Sequence, residues 1–199
     1  MTDAPRTLGI VLFDGLAELD AVGPWEVLAH WTRAFPEDGW SVVSLSPDGD
    51  VVHGAKGLDL HAGYSFADAP ALDALLYPGG PGTRTHLRDE VRIDWVRAQW
   101  DAVPLLTSVC TGSLVYAAAG VLRDRPATTH HASLDLLGEL DATIDVRRGE
   151  RFVDDGDVVT SAGVSAGIDM ALHLVARLGG TEHARAVRRA IQYDPEPPV

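Results

Sequence analysis

Cysteine is almost missing from this chain: Cys110 is the only one in 199 residues. A lone cysteine makes no intramolecular disulfide, which excludes a disulfide-built scaffold and fits a reducing compartment. Basic residues are also scarce, 16 against 29 acidic, for a formal net charge of −13. That balance argues against nucleic acid or an anionic membrane as the main partner. No run approaches the roughly 20 apolar residues of a membrane-spanning helix. The MTDAPRT start has no apolar signal core, so the chain is expected to be cytoplasmic. There is no internal repeat, no low-complexity tract, no P-loop and no nucleotide-binding G-x-G-x-x-G. The length fits one domain, residues 1–199, with a proline-rich tail from about residue 194.

What is present alternates. Short, nearly continuous apolar runs at residues 7–13, 40–45, 72–77, 105–109 and 158–161 read as strands buried on both faces. Between them lie helical stretches. Gly23-Pro24 reads as the start of one, with proline at its first position and Trp25, Leu28, Ala29 and Thr32 inward. Residues 89–100 read as an amphipathic helix with Val91, Trp95, Ala98 and Gln99 on one side. Further helices are expected at 113–119, at 133–140 with Ser133 as cap, at 165–178, and at 181–192 capped by Thr181. Short antiparallel additions are expected near 51–62 and 143–161, with Asp155-Gly156 as a hairpin turn. Alternation of this kind predicts an α/β fold, a mostly parallel sheet with helices on both faces.

The candidate chemistry gathers at Cys110. It stands where an apolar, β-branched run meets a helical one, with small residues Ser108 and Gly112 two positions away on either side. A strand-to-helix turn of that type resembles a nucleophile elbow and places the sulfur at the carboxyl edge of the sheet, where open α/β sheets bind ligands. A helix N-terminus there is expected to favour thiolate. The same cysteine can instead be a small core filler. Gly79-Gly80 leaves another strand at the same edge, and its N–H groups, with those of the Cys110–Thr111 turn, are candidates to hold a developing negative charge. PGGPG also fits a plain strand exit. Asp20, after the first strand, is the acid/base candidate or a helix cap, and Glu18 and Glu26 compete with it. His130 and His131 are adjacent, so in a strand they would point to opposite faces. The other histidines lack metal-ligand spacing. Asp154-Asp155-Gly156-Asp157 is better read as a hairpin than as a calcium loop.

Taken together, LFDGLAELDAVGPWEVL, YPGGPGT, TSVCTGSLVYAAAGVLRDRPATTHH and VVTSAGVSAGIDMALHLVARL resemble the DJ-1/PfpI superfamily, and within it are most similar to the isonitrile (isocyanide) hydratases. The likeness runs in order over residues 7–198. It implies a flavodoxin-like three-layer sandwich, of the class I glutamine amidotransferase-like kind, that forms a homodimer. It implies a hydro-lyase that hydrates a small-molecule isonitrile to an N-substituted formamide through a covalent thioimidate, with no metal or organic cofactor. Carried over, Cys110 matches the nucleophile, Asp20 the carboxyl group beside it, Thr111 the residue after the nucleophile, and Gly79 and Gly80 the facing pair that binds substrate or oxyanion. The PfpI-type proteases carry histidine where this chain has Thr111, which points away from peptidase activity. The same motifs occur in the sensor half of AraC-like regulators. The charge and the lack of a helix-turn-helix segment in this sequence lead away from direct gene regulation. Two alternatives stay open: a sensor or stress-response module with an oxidisable cysteine, and a glyoxalase- or deglycase-like hydrolase.

Overall fold

Strand β1 (Arg6–Val11) leads into helix α1 (Glu18–Ala34) and strand β2 (Trp40–Ser46) in the computed structural model, which describes residues 5–195. Residues 196–199 of the expected proline-rich tail lie outside the described residues. Strands β3 (Val51–His53) and β4 (Asp59–His61) pair as a hairpin, and β5 (Tyr64–Ser65) joins the main sheet. Strand β6 (Ala74–Tyr77) is followed by the one-turn helix α2 (Thr83–His86) and by α3 (Glu90–Ala102). Strand β7 (Leu105–Val109) turns directly into α4 (Gly112–Ala119). Then come β8 (Pro126–Ala127), α5 (Leu134–Leu140), β9 (Asp145–Val146), the hairpin β10 (Phe152–Asp154) and β11 (Val158–Ser161), α6 (Ala166–Leu178) and α7 (Thr181–Ala190).

The main sheet has seven strands in the order β10-β11-β7-β6-β1-β2-β5. Every pairing in it is parallel except β10 with β11. One group of helices, α1, α6 and α7, packs together, and a second group, α3, α4 and α5, packs together across the sheet. Covered on both faces, β6, β7 and β11 are buried at every position, which is why they read as unbroken apolar or small runs. From β1 the chain steps to β2 on one side and later to β6 on the other. Between the carboxyl ends of β1 and β6 lies the switch-point crevice of such sheets. The segments after β1, β6, β7 and β11 all meet there.

Several local expectations are corrected. Thr181 is the first residue of α7 and does not cap it; Gly180 holds the cap position. Helix α1 begins at Glu18, and Pro24 lies inside it. Gly23 and Pro24 mark a crossing instead: a Cβ on Gly23 would come within 3.1 Å of Ile168, and one on Gly167 within 3.3 Å of Pro24. Glu18 and Asp20 supply negative charge to the helix's first turn, which supports the earlier start. In α3 the buried residues are Ile93 and Val96, whereas Val91 is 81% exposed. Asp89 caps that helix, accepting the Arg92 N–H at 3.2 Å. Ser133 precedes α5 without capping it, and its hydroxyl accepts from Arg84 Nη2 at 3.1 Å. The Asp155-Gly156 hairpin forms as expected, with Asp154 bonded to His173 and Asp157 to Arg125.

Candidate active site

The elbow forms where β7 ends. Cys110 has φ = 57°, the left-handed region, which costs a non-glycine residue roughly 1–2 kcal/mol. Backbone contacts hold it there. Its N–H donates to the carbonyls of Ser161 and Ala162, both at 3.1 Å, and its carbonyl accepts from Thr129 Oγ1 at 2.8 Å and Ser113 Oγ at 3.1 Å. Gly112 is required by close approach: a Cβ there would lie 2.1 Å from the Tyr77 carbonyl oxygen. Strain held by surrounding bonds is characteristic of residues placed for function.

Asp20, in the first turn of α1, is fully buried and faces this elbow. Its Oδ2 accepts the Gly79 N–H at 3.1 Å. Its Oδ1 is buried without a partner of ordinary hydrogen-bond geometry, and the Cys110 thiol is the neighbour that stabilises the carboxylate. The competitors are elsewhere. Glu18 turns to the β3–β4 connection, where Oε1 accepts the Lys56 N–H at 2.5 Å, and Glu26 is exposed.

Burial pushes Asp20 up to about 6, against the opposing effect of the Cys110 thiol and the Gly79 N–H. Burial, and then the facing Asp20 charge, push the Cys110 thiol up to about 12. Both effects act against the thiolate that the helix N-terminus favours, a contribution of roughly 0.3–1 kcal/mol.

The glycine pair is also corrected. Gly79 N–H is taken by Asp20, and Gly80 N–H donates to Thr111 Oγ1 at 2.9 Å, so neither is free for an anion. The N–H groups that stabilise charge on the sulfur belong to Thr111 and Val164. Gly79 is needed for space. A Cβ there would lie 2.4 Å from Thr111 N, 2.7 Å from Thr111 Oγ1 and 2.9 Å from Asp20 Oδ2, so these groups converge over one point.

The DJ-1/PfpI family model matches residues 6–177, a span that holds the strained elbow cysteine, the buried carboxyl group facing it and the parallel sheet behind both. The chain belongs to the DJ-1/PfpI family. It is 40% identical over 191 residues to isonitrile hydratase of Pseudomonas putida, a match spanning 96% of this chain and 80% of that protein. It is 27% identical to the HTH-type transcriptional regulator GbdR of Pseudomonas aeruginosa, over 96% of this chain and 51% of the regulator. Among solved structures it resembles a ThiJ/PfpI family protein from Pseudomonas syringae, with TM-score 0.87 and 28% identity over 100% of this chain and 81% of that one. Drosophila melanogaster DJ-1beta shares the fold at TM-score 0.80 and 20% identity, over 95% and 98% of the two chains.

In this DJ-1/PfpI chain a hollow of about 380 Å³ beside the elbow is lined by Thr129, His130, His131, Leu134, Arg151 and Val164, among others. His130 and His131 are not on a strand. His130 Nδ1 accepts the Ala132 N–H at 3.2 Å at the start of a short 3-10 turn, and the two rings meet at a tilt of 36° with centroids 4.2 Å apart. Both imidazoles therefore face one hollow, not opposite sides of a sheet. The His130 ring lies against Gly163, the residue before Val164. Burial, then the charges of His131 and Arg84, hold its pKa below the usual range. Val164 carries no local signal in the sequence: a β-branched residue at φ = 51° is a position that propensity argues against. Among the described residues no helix is long and apolar enough to cross a membrane.

Proposed function

We propose that this protein hydrates an isonitrile, R–NC, to the formamide R–NH–CHO, with Cys110 as nucleophile, Asp20 as the proton carrier and Thr111 as a supporting donor. The observation that carries this is the fully buried Asp20 carboxyl group, bonded to Gly79 N–H beside the strained Cys110 elbow. Addition of a thiol to the terminal isonitrile carbon needs both the sulfur and its proton. As the C–S bond forms, Asp20 accepts the thiol proton and delivers it to the same carbon, giving the thioimidate R–N=CH–S–Cys110. Asp20 is then a carboxylate again. It accepts a proton from water as the oxygen attacks that carbon, and passes it to nitrogen. The O–H proton of the tetrahedral intermediate returns to sulfur as the C–S bond breaks. Formamide leaves and the resting thiol is restored. One water is consumed, and no metal or organic cofactor enters.

The likeness to the Pseudomonas putida hydratase over nearly the whole chain supports this substrate class. A redox-sensing role is less well supported, because a readily oxidised cysteine is an ionised one. The predicted result is formamide from simple alkyl isonitriles, followed by absorbance. Consumption of methylglyoxal with no formamide from any alkyl or aryl isonitrile would replace the proposal with the glyoxalase-like one.

We also read the protein as a homodimer. Leu19 and Val22 of α1 and Leu58 of the β3–β4 connection are 42%, 37% and 51% exposed, beside an apolar hollow bounded by Trp25 and Leu60. Sedimentation at micromolar concentration should give a dimer, and Val22→Glu should give a folded monomer. A monomeric wild-type protein ends that assignment.

A further inference from the structure

Thr83 is fully buried on α2, and its hydroxyl closes on two atoms next to the elbow: Gly80 O at 2.8 Å and Thr111 Oγ1 at 3.0 Å. We infer that Thr83 is a positioning residue that keeps the Thr111 hydroxyl proton free for the reacting carbon, an inference that rests on the isonitrile proposal. The donors and acceptors here can be counted. Gly80 N–H only donates, so it fixes Thr111 Oγ1 as an acceptor at 2.9 Å. Arg84 Nη1 only donates and sits 3.4 Å from Thr83 Oγ1, so the Thr83 proton points onward, and its nearest acceptor is Gly80 O. That carbonyl already accepts the Thr83 N–H at 3.1 Å. With the Thr83 hydroxyl, its two lone pairs are taken.

Thr111 has one proton of its own. Among the described residues its hydroxyl finds only the same crowded carbonyl, at 3.3 Å, the longest hydroxyl contact to that oxygen. Nor does it cap α4. The most loosely held proton of the set thus belongs to the residue after the nucleophile. Thr111 Oγ1 and Asp20 Oδ2 close on Gly79 together, 2.7 and 2.9 Å from where a Cβ would stand, so nothing larger than a glycine hydrogen fits between them. The Thr111 hydroxyl thus sits beside Asp20, on the residue that follows the nucleophile, and an O–H free to turn away from Gly80 O donates a hydrogen bond to the isonitrile carbon as it gains electron density during attack by sulfur, with no proton transferred. Remove the Thr83 hydroxyl and Gly80 O regains a vacant lone pair, which draws the Thr111 proton back.

The test is Thr83→Val, with Thr83→Ala as a second variant should valine disturb the packing. A crystal structure of either should show Thr111 Oγ1 drawn in to Gly80 O, to about 2.8 Å. kcat for an alkyl isonitrile should fall about 10-fold, less than the 10²–10³ of deleting such a donor outright, with KM unchanged. Thr83→Ser should recover the wild-type rate. Adding Thr83→Val to Thr111→Val should cost nothing beyond Thr111→Val alone, a non-additivity that a merely structural role does not give. Three results overturn the inference: an unmoved Thr111 hydroxyl, a Thr83→Val rate within twofold of wild type, or losses that multiply in the double variant. Failure of the isonitrile proposal shows separately, as a wild-type protein that makes no formamide, and the crystal structure still decides the hydroxyl switch.

Discussion

Cys110→Ala reduces formamide formation by at least about 10⁴-fold, as expected when the atom that forms the covalent bond is removed. No neighbour can stand in for it. The Thr111 hydroxyl is a far weaker nucleophile than sulfur, and Asp20 must remain free to move protons. The loss is not one of folding. Cys110 is buried in a backbone conformation that alanine bears no worse, and the elbow is held by main-chain bonds to Ser161, Ala162, Thr129 and Ser113 that the substitution leaves in place. Stability should change by roughly 1 kcal/mol or less. Absorbance of the formamide, with a urea unfolding curve on the same protein, separates the two effects.

Asp20→Asn lowers kcat on the order of 10²–10⁴-fold, the usual weight of a positioned acid/base. In the wild type, kcat/KM should rise with pH through about 6, because the carboxylate that receives the thiol proton forms there. In the asparagine variant that limb disappears. Stability should move the other way. Asp20 is fully buried, and its pKa is raised on folding from 3.8 to about 6. The folded state therefore binds the proton more tightly, and wild-type stability falls as pH rises through this window. Asparagine has no charge to bury, so the variant should be more stable at pH 7, by up to about 3 kcal/mol. The advantage should vanish below about pH 4. A variant that is slower yet more stable, with the gap closing in acid, is not the signature of a damaged fold. Equal stability at pH 7 would place the Asp20 carboxylate in a wetter site than described.

The elbow is legible in the sequence because its determinants are local. An apolar, β-branched run, one cysteine, and small residues on either side leave few other shapes, and Gly112 against Tyr77 shows why glycine stands there. The parallel sheet is legible for a similar reason: β6, β7 and β11, covered on both faces, are continuous in composition. What escapes the sequence is set by contacts distant along the chain. Whether Cys110 is thiol or thiolate depends on a carboxylate 90 positions earlier that is buried against it. Gly79 and Gly80 suggest free N–H groups, but Asp20 and Thr111 claim both. Pro24 reads as a helix start from propensity, yet the packing of α1 on α6 places it inside. Val164 has no sequence signature at all, since its left-handed backbone contradicts its side chain.

Acid quenching during turnover of an alkyl isonitrile, followed by intact and peptide mass analysis, tests the covalent step most directly. The predicted result is a transient gain equal to the mass of the isonitrile, located on the peptide containing Cys110 and absent from Cys110→Ala. Formamide made at the wild-type rate by Cys110→Ala, with no adduct on the wild-type protein at any quench time, would contradict it.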